Sequence, residues 1–415
     1  MMRKRAGLTA GLLTPALLVG LAACSATAEE PDTISSAATP TSETPHGYVK
    51  GAEEATESQL RLTVADAETD ELTMVDLLTG ETVDMPSAAA GGTLKDSDGR
   101  FLFTGDDAGF NVIDSGVWTV DHGDHSHYYV SDPAEVGTVD GDTPGHAVSN
   151  DSQVAMFFDG DGTVTVLPRT SLDDGVIDES VSFQVGEHHG VAVPFDEHVL
   201  STVPAADATD LPAEITLFDN NGEDASAQLT GDISCPEIHG TAASAEHVSF
   251  ACADGLLTVN EDFNAAITAY PSEADGRAWS LTAGDDIAVA PFDGSGLGIL
   301  NIDTGNWTVV ETGAPVLSTA IAPDDSTVFA IDEDGTGYAI DAASGEITAQ
   351  RELVEIIGDD SDAPRPAVAL TQERGYVSDP ETGTVLEIDL ADDLREARSF
   401  ELGGQPSAIA ITGDN

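Results

Sequence analysis

The stretch LSTAIAPDDSTVFAIDEDGTGYAIDAASGEI, Leu317 to Ile347, contains three short apolar runs separated by two turn signals. Runs rich in Val, Ile, Thr, Phe and Ala favour β-strands, and Asp-Gly pairs favour tight hairpin turns. The apolar residues do not recur at the three- to four-residue spacing that is typical of an amphipathic helix. The stretch therefore predicts consecutive antiparallel strands, each paired with the next.

The same pattern recurs along the chain from about Leu60 onward, with a period of roughly 40 to 50 residues. Other copies are GHAVSNDSQVAMFFDGDGTVTVLP from Gly145, HGTAASAEHVSFACADGLLTVN from His239 and PAVALTQERGYVSDPETGTVLEIDL from Pro366. Repeats of this length and content are typical of β-propellers, in which four-stranded blades surround a central channel.

Counting the innermost strand of each repeat gives the number of blades. Seven such strands are predicted, near Leu94, Val148, Val191, Thr241, Leu281, Thr319 and Val368. An eighth, PSAIAI at Pro406 to Ile411, has no partner strands after it, but RLTVADAETDELTMVDLLTGETVDM at Arg61 to Met85 can supply them. We expect a single all-β propeller of eight blades closed by the N- and C-terminal strands, with seven blades as the alternative.

The N-terminus predicts export. Three basic residues precede an apolar run that ends in Leu21-Ala22-Ala23-Cys24, the pattern of a lipoprotein signal peptide over residues 1–23. Cys24 would be acylated after cleavage; a plain cleavage site is the alternative. Residues 24–51 lack large apolar side chains and predict a flexible stalk, followed by the propeller domain at 52–415. We expect an exported monomer, anchored by lipid to the outer face of the cell membrane.

The charge balance excludes some partners. The whole chain carries a net charge of −62, and without the three basic residues of the signal 11 Lys and Arg remain against 76 Asp and Glu. Such a surface repels nucleic acid and anionic lipid and attracts cations.

Cys235 and Cys252 lie 17 positions apart and would meet an oxidising compartment after export. A disulfide is the favoured prediction. A pair of zinc thiolates is the alternative, although neither cysteine belongs to a C-x-x-C unit.

Histidine is scarce and unevenly distributed. Of ten histidines, three fall in DHGDHSHYY at Asp121 to Tyr129. Three others share one position, immediately before the inner strand of successive repeats: His146, His189 and His239. That position lies at one mouth of a propeller channel, and we expect the connection carrying His122, Asp124, His125 and His127 to lie over the same mouth. His198 and His247 are expected in turns or on the surface, and His188 behind its neighbour His189.

Clustered imidazoles suit metal binding. Neutral imidazole is a good ligand for Zn²⁺, which takes four ligands, and Asp124 could be a ligand or a partner that fixes an imidazole tautomer. Copper and nickel suit the same ligands. Seven candidate ligands exceed one shell, so either two ions bind or the loop loads a channel site. A zinc hydrolase would need a general base, for which Glu187 is the obvious candidate.

VWTVDHGDHSHYY, GHAV and CPEIHG with a second cysteine and DGLL resemble the AztD-type periplasmic zinc metallochaperones over nearly the whole exported chain. The resemblance implies zinc ligation by His122, Asp124 and His125 with His127 just beyond, by His146, His189 and His239, and a disulfide between Cys235 and Cys252. It also implies transfer of Zn²⁺ to the substrate-binding protein of a zinc ABC importer. The stalk has only His46, so a histidine-rich arm is reduced or absent.

The sequence thus favours an extracytoplasmic zinc-binding chaperone that is not an enzyme. The main alternative is a surface propeller for adhesion or protein interaction, in which the histidines are incidental. A metal-dependent hydrolase is a further alternative.

Overall fold

A computed structural model describes residues 47–86, 92–205, 211–356 and 363–414. The predicted signal peptide at 1–23 and the stalk up to residue 46 lie outside the described residues. The all-β prediction is confirmed, because the only helical elements in the described ranges are a short α-helix, Arg169–Asp173, and a 3₁₀ turn, Ser226–Gln228. No helix in these ranges is both long and apolar enough to span a bilayer.

The strands follow one another with short connections. In the first third of the chain they are β1 Glu53–Ala55, β2 Arg61–Asp66, β3 Leu72–Asp76, β4 Thr82–Val83, β5 Thr93–Ser97, β6 Phe101–Asp106, β7 Gly109–Asp114, β8 Val117–Asp121, β9 Ser126–Val130, β10 Ala134–Asp140 and β11 Pro144–Ser149. Next come β12 Gln153–Phe158, β13 Thr163–Pro168, β14 Val181–Gln184, β15 Ala192–Phe195, β16 His198–Val203, β17 Glu214–Phe218, β18 Thr230–Gly231, β19 Thr241–Ala243, β20 His247–Ala251, β21 Gly255–Asn260 and β22 Asn264–Ala269. The last are β23 Thr282–Ala283, β24 Ile287–Pro291, β25 Ser295–Asn301, β26 Asn306–Ile321, β27 Thr327–Asp332, β28 Thr336–Asp341, β29 Ile347–Glu352, β30 Val368–Leu370, β31 Arg374–Asp379, β32 Thr384–Asp389, β33 Arg395–Glu401 and β34 Pro406–Thr412.

Most sheets are antiparallel meanders, as the turn signals predict. In hydrogen-bonded order they are β34-β2-β3-β4, β10-β7-β6-β5, β11-β12-β13-β14, β15-β16-β17, β18-β22-β21-β20-β19, β23 through β29 in sequence, and β30-β31-β32-β33. The long strand β26 pairs with β25 through its first half and with β27 through its second, so it belongs to two repeats. One sheet joins the chain ends, because Leu62 pairs with Ile411.

One strand of each repeat lies at the edge nearest the neighbouring sheets. We call these the first strands: β5, β11, β15, β19, β23, the second half of β26, β30 and β34. Neighbouring first strands pack side by side, as in β34 with β5, β5 with β11, β11 with β15, β19 with β23 and β30 with β34. The predicted inner strands fall on these segments or within a residue of them. The sequence repeat therefore locates the first strands correctly.

Apolar side chains from adjacent sheets fill the space between them. The cluster holding Val193, Leu200 and Phe250 joins two sheets, and another built on Phe103, Phe110 and Met156 joins the pair before them. These side chains are fully buried, and each contributes roughly 1.5 to 3 kcal/mol relative to exposure.

An extra sheet, β1-β9-β8, lies outside the repeat. Its hairpin, β8 with β9, packs through Trp118 and Tyr129, whose rings stack 5.2 Å apart, and through Ala52 just before β1. The indole N–H of Trp118 donates to the Gly47 carbonyl at 3.0 Å. The hairpin is thereby held by the segment that enters the domain.

The structure joins Cys235 and Cys252 by a disulfide, and both residues are buried in the same apolar cluster. We expect the Cys235→Ser/Cys252→Ser variant to lose about 3 kcal/mol of unfolding free energy, because the bond closes a 17-residue separation in the unfolded chain. Urea denaturation measures this loss. Reduced wild-type protein should match the variant, and equal stability of oxidised wild type and variant would contradict the expectation.

Candidate metal centres

The first group of histidines lies at the tip of the β8–β9 hairpin. His122 donates its backbone N–H to the His125 carbonyl at 2.9 Å, which closes the turn. Gly123 has φ +79°, a conformation that glycine adopts without steric cost. The Asp121 carboxylate accepts the Gly123 N–H at 2.7 Å and holds the turn from the other side. The HGDH sequence is therefore a turn that presents its side chains outward.

This turn brings three imidazoles together. The ring centroids of His122, His125 and His127 lie 5.1 to 5.2 Å from one another. One ligand nitrogen from each falls within 4.8 Å of the others, and among the described residues no further group of three or more candidate ligands meets that limit. His125 and His127 alternate along extended chain onto one face, and the turn folds His122 back towards them. We call this group the hairpin triad.

Carboxylates orient two of the three rings. Asp124 Oδ1 lies 2.8 Å from His125 Nδ1, and Glu54 Oε1 lies 2.7 Å from His127 Nδ1. A carboxylate on Nδ1 fixes the proton there and leaves Nε2 as the metal-binding nitrogen, the arrangement common around protein-bound zinc. The contact of Asp124 with His125 Nδ1 is the geometry expected of a residue that fixes an imidazole tautomer, one of the two roles predicted for Asp124. Glu54 was missed, because only the pairing of β1 with β9 brings it to the hairpin.

The second group, His146, His189 and His239, lines a single cavity of about 310 Å³. The rings of His146 and His189 are 5.3 Å apart and those of His189 and His239 are 5.7 Å apart. His146 lies inside β11, whereas His189 and His239 lie shortly before β15 and β19, so all three stand near the start of a first strand. The three form a looser set than the hairpin triad, since their ligand atoms do not all lie within 4.8 Å of one another. We call them the cavity histidines.

Hydrogen bonds orient the rings of two of the cavity histidines. Asp159 Oδ2 lies 2.7 Å from His189 Nδ1, and His239 Nδ1–H donates to the Trp279 carbonyl at 2.8 Å. The hydrogen bond that His189 donates to the Asp159 carboxylate raises the pKa of His189. Desolvation in the cavity, reinforced by His189 nearby, lowers the pKa of His146 to about 4. His146 is therefore neutral at physiological pH and needs to release no proton on binding a metal.

These shifts predict separate titrations in the metal-free protein. Imidazole NMR signals should give His146 a midpoint near pH 4 and His189 a midpoint above the usual 6.5. Because the pKa of folded His189 is raised, its ion pair with Asp159 stabilises the fold below pH 6.5 and that contribution fades as the pH rises through the raised value. Asp159→Asn should return His189 towards its ordinary pKa; an unchanged midpoint would contradict the assignment.

The two groups lie at opposite ends of the first strands, so the expectation of one shared mouth is wrong. The cavity histidines stand where these strands begin. The hairpin packs where they finish: Thr119 Oγ1 donates to the Gly413 carbonyl and Gly413 N–H to the Gly99 carbonyl, each at 2.7 Å. A second cavity beside the hairpin is lined by Val120 and by Asn150, which follows β11. The repeat pattern could not reveal this, because the hairpin is an insertion with its own direction.

The other three histidines in the described ranges belong to neither group. His188 is buried behind His189, with Nδ1 2.8 Å from the Gly186 carbonyl and Nε2 2.9 Å from Thr202 Oγ1. His198 begins β16 and its ring contacts Phe263. His247 was expected in a turn or on the surface but is buried at the start of β20, so that expectation is wrong. Glu187 is exposed beside His188.

The described residues thus form an all-β protein with clustered imidazoles of the kind that bind metal ions. No protein-family model matches the chain. In sequence it is similar to zinc chaperone AztD of Citrobacter koseri, with 24% identity over 368 residues that cover 85% of this chain and 86% of the relative. The predicted resemblance to the AztD-type proteins is thus confirmed.

Solved structures agree on the fold. The crystal structure of Citrobacter koseri AztD superposes with a TM-score of 0.77 at 23% identity, covering 86% of this chain and 99% of that one. The apo form of that protein gives the same values. Dihydro-heme d1 dehydrogenase NirN is a more distant match, with a TM-score of 0.57 at 13% identity over 84% of this chain and 74% of that one.

Proposed function

We propose that this protein is an extracytoplasmic zinc metallochaperone that captures Zn²⁺ and passes it to the substrate-binding protein of a zinc ABC importer. The observation that carries the proposal is the hairpin triad, in which one ligand nitrogen from each of three imidazoles lies within 4.8 Å of the others at the tip of a hairpin. Likeness to a protein named zinc chaperone AztD supports zinc over copper or nickel. The role requires no catalysis, and the protein acts as a binding protein, not an enzyme.

The hairpin triad supplies the capturing ligands in this proposal. His122, His125 and His127 provide three nitrogens, and the fourth position of a tetrahedral Zn²⁺ is left to water or to a group from the acceptor. Asp124 and Glu54 hold the rings from the outer side. An exposed site with three protein ligands can lose them one at a time, which transfer by ligand exchange requires.

The cavity histidines, His146, His189 and His239, form a second zinc site in this proposal, at the other end of the first strands. Their wider spacing means that binding draws the rings together. Each site binds its own zinc ion. This replaces the alternative in which the hairpin loop loads a site at the same channel mouth.

The protein in this proposal is a closed propeller tethered to the membrane by lipid. Eight repeats form a closed propeller, supported by the side-by-side packing of neighbouring first strands and by the sheet that joins β2 with β34. Residues 1–23 act as a lipoprotein signal, Cys24 carries the lipid, and 24–51 form a stalk for the domain at 52–415. The protein works as a monomer at the outer face of the membrane.

Zinc capture and transfer are tested with the purified, metal-stripped protein. Titration against a chromophoric chelator should reveal tight Zn²⁺ binding, and mixing the loaded protein with the importer's substrate-binding protein should move the ion faster than its spontaneous release. A protein that takes up no zinc would instead fit an adhesion or interaction propeller. Turnover of ester or peptide substrates with zinc bound, lost in Glu187→Gln, would indicate the hydrolase.

Glu54 gives a sharper test of the hairpin triad. Glu54→Gln should weaken zinc binding at the hairpin by roughly 10- to 100-fold, because the charged acceptor that fixes the His127 tautomer is lost. Glu53→Gln, one position earlier on the exposed part of β1, is the matched control and should bind as wild type does. Chelator competition measures both; equal affinities for the two variants would remove Glu54 from the site.

A further inference from the structure

The cavity holding His146, His189 and His239 is much larger than a metal ion needs. It measures about 310 Å³, which reaches the lower end of the range typical of small-ligand sites. Below the histidines its walls are mainly apolar and include Val148, Val191, Ile238 and Leu281. Trp279 stands at the rim, 42% exposed, with its ring 5.5 Å from that of His239.

A hydrogen bond and a cation–π contact set the orientation of Trp279, and the cation covers one face of the indole. The indole N–H of Trp279 donates to Asp293, and Arg277 lies 4.0 Å from the indole centroid. Trp279 is thus held in place while part of its surface remains open. An exposed tryptophan next to an apolar cavity is the kind of surface on which an aromatic ring packs.

We propose that this cavity binds an imidazole-type nitrogen base with an apolar ring attached, which coordinates the metal ion held by the cavity histidines. This inference rests on the proposed function. Three imidazoles leave one position of a tetrahedral ion for an outside donor. The apolar walls penalise a charged donor, so a neutral aromatic nitrogen is favoured over a carboxylate. The attached ring fills the space lined by Val148 and Leu281.

Two sources can supply this chemistry: a free heteroaromatic base, or a histidine beside an aromatic residue on a loop of the acceptor protein. A donor of this kind would assist transfer, because it occupies the fourth coordination position of the ion while the cavity histidines dissociate from it.

The test uses the full exported protein loaded with Co²⁺, whose visible spectrum reports coordination, after zinc titration has established that the protein binds metal. Imidazole, 4-phenylimidazole and a blocked histidyl-phenylalanine dipeptide are titrated in turn. We expect at least one of the two larger probes to bind about tenfold or more tightly than imidazole, from burial of its ring. Tighter binding of the dipeptide supports a protein source, and tighter binding of 4-phenylimidazole supports a free base.

Variants locate the effect. Leu281→Trp fills the cavity and should abolish the preference while metal is still bound; Val148→Phe is a second filling variant if the first does not fold. Leu78→Trp, at a residue 53% exposed, is the matched control and should keep the preference. The preference should also survive His125→Ala/His127→Ala, which removes the hairpin site. Equal binding of all three probes would overturn the inference, and so would a preference that persists in both cavity-filling variants. Neither result would contradict the binding of zinc by the protein.

Discussion

The His125→Ala/His127→Ala variant is expected to lose tight zinc binding at the hairpin while keeping the wild-type fold. Two of the three nitrogens that lie within 4.8 Å disappear, and His122 alone cannot hold the ion. The loss should exceed the roughly 10- to 100-fold typical of removing a partner outside the ligand shell. Stability should change only modestly, because His125 is 59% exposed. His127 is 22% exposed and its ring lies 6.4 Å from that of Tyr129, so its removal accounts for most of any change.

Chelator competition measures the affinity and circular dichroism checks the fold. If the cavity histidines hold a second ion, the stoichiometry falls by one instead of to zero, and His189→Ala in addition should remove the remaining ion. His198→Ala is the control, since His198 belongs to neither group and contacts Gln228 and Phe263. An affinity and stoichiometry unchanged by the double substitution would contradict the assignment of the hairpin as a zinc site.

The repeat explains why so much of the fold could be predicted. Alternating apolar runs and Asp-Gly turns specify hairpins locally, so the strands at Val148, Thr241 and Val368 could be placed from sequence alone. The pairing of β2 with β34 could also be predicted, because the apolar run at Pro406 to Ile411 lacks partner strands within its own repeat. The shared position of His146, His189 and His239 is likewise a property of the repeat, and it brings them to one cavity.

The features that the sequence did not predict are ones that do not recur from repeat to repeat. The β8–β9 hairpin is an insertion, and its direction is set by Trp118 and Tyr129 packing on the entering segment, which no repeat encodes. Glu54 is 73 positions from His127 and approaches it only through strand pairing. His247 looked like a turn residue by its spacing, but its strand begins one residue early and buries the ring.

The hairpin depends on a buried arginine at its base. Arg100 is 3% exposed, and its guanidinium stacks 3.8 Å from the Trp118 ring centroid. It donates from Nη2 to Asp114 at 2.6 Å and from Nη1 to Asp173 at 3.0 Å. One side chain therefore ties β8 to the end of β7 and to the short α-helix.

Arg100→Met should lower the free energy of unfolding by about 3 to 5 kcal/mol, because removing one partner leaves the mostly buried Asp114 carboxylate without its cation. Urea denaturation measures the loss. Arg395→Met, which breaks an exposed pair with Asp392, is the matched control and should leave the midpoint close to wild type. If the two variants unfold at the same urea concentration, Arg100 does not anchor the hairpin. If Arg100→Met also weakens zinc binding at the hairpin while Arg395→Met does not, the geometry of the hairpin triad depends on the anchoring of the hairpin by Arg100.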